Sequence, residues 1–344
     1  MKLQNRQKWQ IIRQYMIGWC LALAFFSVVR GEGTRELGSV QFELWKSILV
    51  SLFGGAIFGA ISGYAQILTE EHGYRKMSLR GLWVLRLIYV VLFLITMVSL
   101  AYLIFGEDIT YLEFAFEPGS FAIYLYLVSV DIFMFSLRQV KLYFGGNNLW
   151  QLFSGRFYTP REEERIFMFL DLQSSTAHAE RLGHIQYSKL IQDCFNDLGI
   201  VAENEAEIYQ YVGDEAILTW QLKAGLKSQN CLRAFFNFKQ QLLKRKGYYA
   251  QNYNCLPHFK GGIHEGIVTV TEVGKYKKEI AYHGDAINTA ARIQGQCNAL
   301  QQEFLISESL KVMFEDSSFG FEQLGSIALK GKEEAIELYG VKVG

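Results

Sequence analysis

Hydrophobic residues are unevenly spread along this chain. Four apolar runs, at residues 15–29, 47–68, 87–105 and 121–137, crowd into the first 145 positions; beyond them the pattern breaks into short strand- and helix-length segments. A bilayer's hydrocarbon core is about 30 Å thick and takes about 20 helical residues to cross, so each run predicts a membrane-spanning helix. The first is the shortest and spans only by borrowing from residues 9–14. It reads as a retained helix, because Ser27, Val28, Val29 and Arg30 offer no small-x-small cleavage site.

Past residue 160 the periods change. Arg161 to Arg165 is a charged run, read as a solvated helical turn or approach segment. Residues 166–172 (IFMFLDL) form a nearly pure apolar run of strand length, predicting a central buried strand. Gln173, Ser174, Ser175 and Thr176 offer helix N-caps, and a helix to about Leu198 follows. Strand, short polar turn and helix N-terminus together make a ready phosphate site. Residues 207–218 alternate on both sides of Gly213-Asp214, predicting a hairpin. A helix over about 231–246, a glycine-bearing strand over 258–271, a helix from Asp285 and a last strand over 335–343 complete the pattern.

Basic residues orient the membrane half. Lys2, Arg6, Lys8 and Arg13 precede the first run, Arg75, Lys76 and Arg80 follow the second, and Arg138, Lys141 and Arg156 follow the fourth. The first connecting loop has only Arg30 and Arg35, and the third has Glu107, Asp108, Glu113 and Glu117 without a base. Lys and Arg concentrate on the cytoplasmic side, so both termini are expected inside the cell, on a multi-pass protein of the cell membrane. In the second run Gly55, Gly59 and Gly63 line one helical face and admit a close neighbour, either within the bundle or on a second chain. Asp131 lies inside the fourth run, where a carboxylate is costly, and the pattern names no partner for it.

Composition adds exclusions. Lys plus Arg equal Asp plus Glu at 34 each, so no net basic field recruits nucleic acid. The five cysteines form no CxxC pair and no zinc spacing, so they are expected as reduced thiols.

Two carboxylates stand out. Asp171 ends a buried strand, and Asp214 sits at the hairpin turn. If those strands are neighbours the charges repel, and a hard divalent ion, Mg²⁺ or Mn²⁺, resolves the conflict. Asn288 and Arg292 are i, i+4 on one helical face, an amide beside a planar fork that suits a sugar and a phosphate. Lys330 sits in a Leu-Lys-Gly turn.

Four features in order, Phe169-x-Asp171-x-x-x-x-Thr176, Val212-Gly213-Asp214, Gly284-x-x-x-Asn288-x-x-x-Arg292 and Leu329-Lys330-Gly331, resemble the class III adenylate/guanylate cyclase family. The resemblance covers about residues 163–343. The apolar runs give a four-span α-helical membrane domain (1–144) and a cytoplasmic linker (145–162), and the resemblance implies an α+β ferredoxin-like catalytic domain (163–344) working as a head-to-tail homodimer. It further implies that Asp171 and Asp214 hold two metal ions per site and that the backbone from Leu172 through Gln173, Ser174 and Ser175 to Thr176 cradles the phosphates. By the same resemblance Asn288 and Arg292 act across the interface and Lys330 meets the terminal phosphates.

The base-reading positions depart from the family pattern. Adenylate cyclases usually carry Lys where Gln210 stands and Asp, Thr or Ser where Ala281 stands, and the Glu and Cys of guanylate cyclases are absent too. ATP is therefore the expected substrate and GTP the alternative. A catalytically inactive cyclase-fold scaffold is a further alternative, which the retained set of Asp171, Asp214, Asn288, Arg292 and Lys330 opposes. A diguanylate cyclase would need a Gly-Gly-Asp-Glu-Phe loop, and residues 212–216 lack its first Gly and its Phe.

Overall fold

The computed structural model describes residues 5–36, 44–73, 77–105, 110–116, 119–144, 155, 157–314, 317–328 and 335–344. The expected linker coil at 145–154 and the turn holding Lys330 lie outside the described residues. The chain divides into two units, Met1–Tyr143 and Phe144–Gly344.

The first unit is built on four long helices, α1 (Asn5–Glu36), α2 (Leu44–Leu68), α3 (Leu79–Phe105) and α4 (Ser120–Phe144). Four stretches are long and apolar enough to cross a membrane: Gln7–Val29, Trp45–Glu71, Leu79–Ser99 and Ser120–Leu142, the second running past the end of α2 into a π-helical turn at Thr69–Gly73. Helix α1 runs on through Arg30 and Arg35, which the pattern had put in a loop. The glycine stripe finds its neighbour within the chain. A Cβ at Gly55, Gly59 or Gly63 would stand 2.6, 2.3 and 3.0 Å from the Cα atoms of Cys20, Met16 and Ile12, so α2 lies directly on the α1 backbone.

Asp131 also finds its partner. The third span opens at Leu79, upstream of the apolar run, and so includes Arg86. Arg86 donates from Nε to Asp131 Oδ2 and from Nη2 to Oδ1, both at 2.6 Å. Ser62 Oγ accepts from Arg86 Nη2 at 2.6 Å and donates to Asp131 Oδ1 at 2.7 Å. The rings of Tyr89, Tyr15 and Phe135 surround the guanidinium at 4.9, 5.6 and 5.6 Å. One ion pair thus joins all four helices.

The second unit is an eight-stranded mixed sheet with helices on both faces. In chain order it contains β1 (Arg161–Leu172), α5 (Ser175–Leu198), β2 (Glu207–Val212), β3 (Glu215–Gln221), α6 (Asn230–Lys244), α7 (Lys246–Tyr253), β4 (Phe259–Val273), β5 (Glu279–His283), α8 (Asp285–Gly295), β6 (Phe304–Ser307), β7 (Phe319–Ile327) and β8 (Ile336–Val343). The strand order is β2-β3-β1-β4-β6-β8-β7, with β5 on β4. Its first four strands, crossing through α5 and α6, make the ferredoxin-like core.

Strand β1 is buried on both faces, which is why its sequence does not alternate. Ile166, Met168 and Leu170 pack with Leu190 and Cys194 of α5 and Phe235 and Phe238 of α6. Phe167 and Phe169 pack on the other face with Ala286 and Ala290 of α8. The charged run at 161–165 is the first part of this strand, not a helical turn. Arg165 is only 2% exposed, and its charge is met by Glu163 at 2.9 Å and Glu207 at 3.0 Å.

Candidate active site

Side chains alternate along a strand, so Asp171 shares the face of Phe167 and Phe169. Its register neighbours are Glu215 on β3 and Lys260 on β4. Asp214 stands in the two-residue turn before Glu215, where Gly213 takes a φ of 63° that a glycine adopts without strain. The strands bearing the two aspartates are adjacent, as their convergence required.

The local electrostatics are those of a site with excess negative charge. Burial, and then the charge of Asp214, push the Asp171 carboxyl above its ordinary range, against the hydrogen bonds from Gln294 and the Leu172 amide and the charge of Lys260. Glu215 is pushed up to about 7 by burial and then by Asp171 and Asp214. Among the described residues no three His, Cys, Asp or Glu form a complete metal cage. The aspartate pair instead fits a Mg²⁺-class ion, which usually takes one or two carboxylates and completes its shell with water and substrate phosphates.

Helix α5 begins at Ser175, shortly after Asp171. The Leu172 amide is bonded to the Asp171 carboxylate and the Gln173 amide donates to the His258 carbonyl at 2.8 Å. Ser174 has left-handed backbone (φ 57°) and makes no side-chain cap. The first-turn amides at Ser174, Ser175 and Thr176 have no intrahelical acceptors, and they carry the positive end of the helix dipole. The Ser175 side chain is bonded to Tyr187, whose hydroxyl titrates higher than usual through burial and then the charge of Asp214.

Helix α8 packs Ala286, Thr289, Ala290 and Ile293 inward. Its approach is close because a Cβ at Gly262 would lie 2.2 Å from the Gln294 nitrogen. Gln294 thereby reaches Asp171. Asn288 is exposed and Arg292 half-buried. Arg292 lies about 200° around the helix from Gln294 at 100° per residue, so it leaves the helix on a different side from the residue that reaches Asp171. Arg292 Nη1 is buried 4.0 Å from Asp285 and makes no hydrogen bond among the described residues.

Gln210 is half-buried opposite Ile217, just past a bulge between Ile208 and Gln210. Ala281 is half-buried opposite Thr271. Their neighbours Tyr209 and Tyr282 meet edge to face at 4.9 Å.

A profile of the adenylate and guanylate cyclase catalytic domain matches residues 157–342. The chain belongs to this family. Among curated cyclases it is 30% identical over 215 residues to Adenylate cyclase 2 of Rhizobium meliloti (strain 1021), covering 62% of this chain and 58% of that one. It is 27% identical over 188 residues to Adenylate cyclase of Anabaena cylindrica, covering 51% and 36%. The chain therefore spans a little over half the length of the first relative and about a third of the second. A bacterial light-regulated adenylyl cyclase of known structure superposes with a TM-score of 0.55 at 20% identity over 65% of this chain and 66% of that one, a likeness of fold.

Sequence reasoning missed three groups of this cyclase site. Glu215 was within reach, since it opens β3 on the face of Ile217, directly opposite Asp171. Lys260 and Gln294 carried no local signal, because only the β1–β4 register and the Gly262 contact bring them to Asp171.

Proposed function

We propose that the chain is a membrane-anchored cyclase that converts ATP to cyclic AMP and pyrophosphate, as a homodimer whose two sites are shared between chains. The observation that supports this most is Asp171 set against Asp214 and Glu215 beside the open N-terminus of α5. Asp171 and Asp214 would hold two Mg²⁺ or Mn²⁺ ions, which when bound neutralise triphosphate charge and acidify the ribose 3′-hydroxyl.

The amides of Ser174 to Thr176 receive phosphate oxygens at the helix end. Gln294 and the Leu172 amide hold the Asp171 carboxylate in one orientation. The 3′-oxygen attacks the α-phosphorus, and the bond to pyrophosphate breaks. Asn288 orients the ribose and Arg292 meets the charge that develops on the α-phosphoryl oxygens, where a preorganised donor is worth most. Both serve the partner chain's site, a reading supported by Arg292 leaving α8 on a different side from Gln294. Lys330 contacts the terminal phosphates. At the base, the Gln210 amide both donates and accepts at a purine edge, beside the small Ala281. The four apolar helices anchor the enzyme in the cell membrane, with the catalytic unit on the side of the basic flanks, the cytoplasm.

The full chain in detergent, supplied with ATP or GTP and Mg²⁺ or Mn²⁺, tests the reaction: cyclic AMP from ATP is expected, cyclic GMP from GTP overturns the substrate, and no product from either overturns the enzyme. Sharing is tested by mixing. Asp171→Ala and Arg292→Ala chains are each inactive alone, and an equimolar mixture recovers about a quarter of wild-type activity, because half the dimers are mixed and each has one intact site of two. A mixture that stays inactive overturns the shared site.

A further inference from the structure

Arg165 is a fully buried cation in the catalytic unit that the proposed reaction does not use. It lies on β1 and pairs with Glu163 of its own strand and Glu207 at the start of β2, while its guanidinium covers the ring of Tyr282 on β5 at 4.7 Å. Tyr282 is itself buried and meets Tyr209 of β2 edge to face at 4.9 Å, and the Tyr209 hydroxyl is hydrogen-bonded to the Tyr282 backbone. Phe167 closes the cluster against Tyr282 at 5.5 Å.

Strands β2 and β5 are not paired. In the sheet, β3, β1 and β4 separate them. Yet these strands bear the two positions at which the cyclase pattern reads the base, Gln210 one residue after Tyr209 and Ala281 one residue before Tyr282. Ladder hydrogen bonds cannot set the spacing of strands that do not pair. Arg165–Tyr282–Tyr209 is a direct contact that spans them, with Glu207 fixing its far end.

We infer that Arg165, through Tyr282 and Tyr209, is a positioning residue that sets the separation of Gln210 and Ala281 and thereby the choice between adenine and guanine. The inference rests on the cyclase reading. Arg suits the task better than Lys, because a planar fork bonds two carboxylates while stacking on a ring, which a point charge on a flexible stem does not reproduce. Glu163 and Glu207 leave the guanidinium little freedom, so Tyr282 is held as well as covered.

The experiment compares wild type, Arg165→Met, Arg165→Lys and Tyr209→Phe as full chains in detergent, measuring kcat and KM for ATP and for GTP, with displacement of a fluorescent nucleotide by each as a readout independent of turnover. In Arg165→Met the ratio of kcat/KM for ATP to that for GTP is expected to fall roughly tenfold, chiefly through KM for ATP, the signature of lost substrate binding rather than lost chemistry. Arg165→Lys falls short of rescue, and Tyr209→Phe, which keeps the ring and loses one hydrogen bond, shifts the ratio about threefold. A merely structural Arg165 lowers the active fraction and scales kcat for both nucleotides alike; an unchanged ratio in folded variants overturns the inference. Should Arg165→Met not fold, Tyr209→Phe decides by the same ratio. Wild type that makes no product would sink the cyclase reading instead, and nucleotide displacement then judges the positioning alone: equal ATP and GTP selectivity in wild type and variants overturns it.

Discussion

Glu215 holds the most informative charge in the site. Its carboxyl is raised from 4.5 to about 7 by burial and by the neighbouring aspartates. A raised carboxyl means the folded chain keeps its proton longer than the unfolded chain does. Its contribution to stability is therefore present below about pH 4.5 and lost as pH rises to 7. In metal-free buffer with chelator, the unfolding midpoint of the catalytic unit is expected to fall across that window, and Asp171, raised in the same direction, adds to the slope. Glu215→Gln should flatten the fall; an unchanged slope would show that the Glu215 carboxyl is not raised by its surroundings. Added Mg²⁺ should flatten it too, since a bound divalent ion favours the deprotonated ligands. At this scale the sequence spoke where a residue broke its own pattern. Asp171 interrupts an apolar strand, and Asp131 an apolar helix. Gln294 breaks no pattern, and its role comes entirely from the surface it was folded against.

Among the elements, α8 matters most for the proposed reaction, because it carries Gln294, which reaches Asp171, together with Asn288 and Arg292. Gly262 sets its distance from β4, as does Gly266, where a Cβ would lie 2.8 Å from the Ala286 Cβ. Gly262→Ala should push the helix off the sheet. Overpacking of this kind costs about 1–3 kcal/mol, and displacing a catalytic group by about 1 Å costs up to roughly a hundredfold in rate. Cyclase assays and thermal unfolding of the variant check both; full activity at normal stability would show that α8 has slack. Most elements were legible from their periods: the buried run at 166–172, the alternating hairpin at 207–218 and the helix after Gly284 all form. The segment at 161–165 was misread for a physical reason. A run of charges looks solvated in isolation, but Arg165 carries its own counter-ions, Glu163 two residues away on the same face and Glu207 on a strand more than 40 positions later. Strands β5, β6 and β7 were not anticipated.

For the whole molecule, the helical unit is braced by the buried Arg86–Asp131 pair, alongside other polar contacts such as Arg138–Glu70 and Tyr15–Gln66. Removing one partner of a buried ion pair leaves a bare charge and costs about 3–5 kcal/mol, whereas replacing both by apolar residues is often neutral. Arg86→Leu or Asp131→Leu alone is therefore expected to lower the unfolding midpoint in detergent sharply, and the double variant to recover most of the loss. Equal losses that simply add would mean the two residues act separately. The same pair constrains how the chain is made. A lone Arg or Asp at the centre of a membrane helix costs about 2.5–3.5 kcal/mol during insertion, and α3 leaves the ribosome carrying Arg86 well before α4 arrives with Asp131. In the proposed membrane setting the third helix is thus a poor resident until the fourth joins it. The two enter lipid most favourably as a hairpin, and synthesis must run past Asp131 before the bundle that carries the catalytic unit can close.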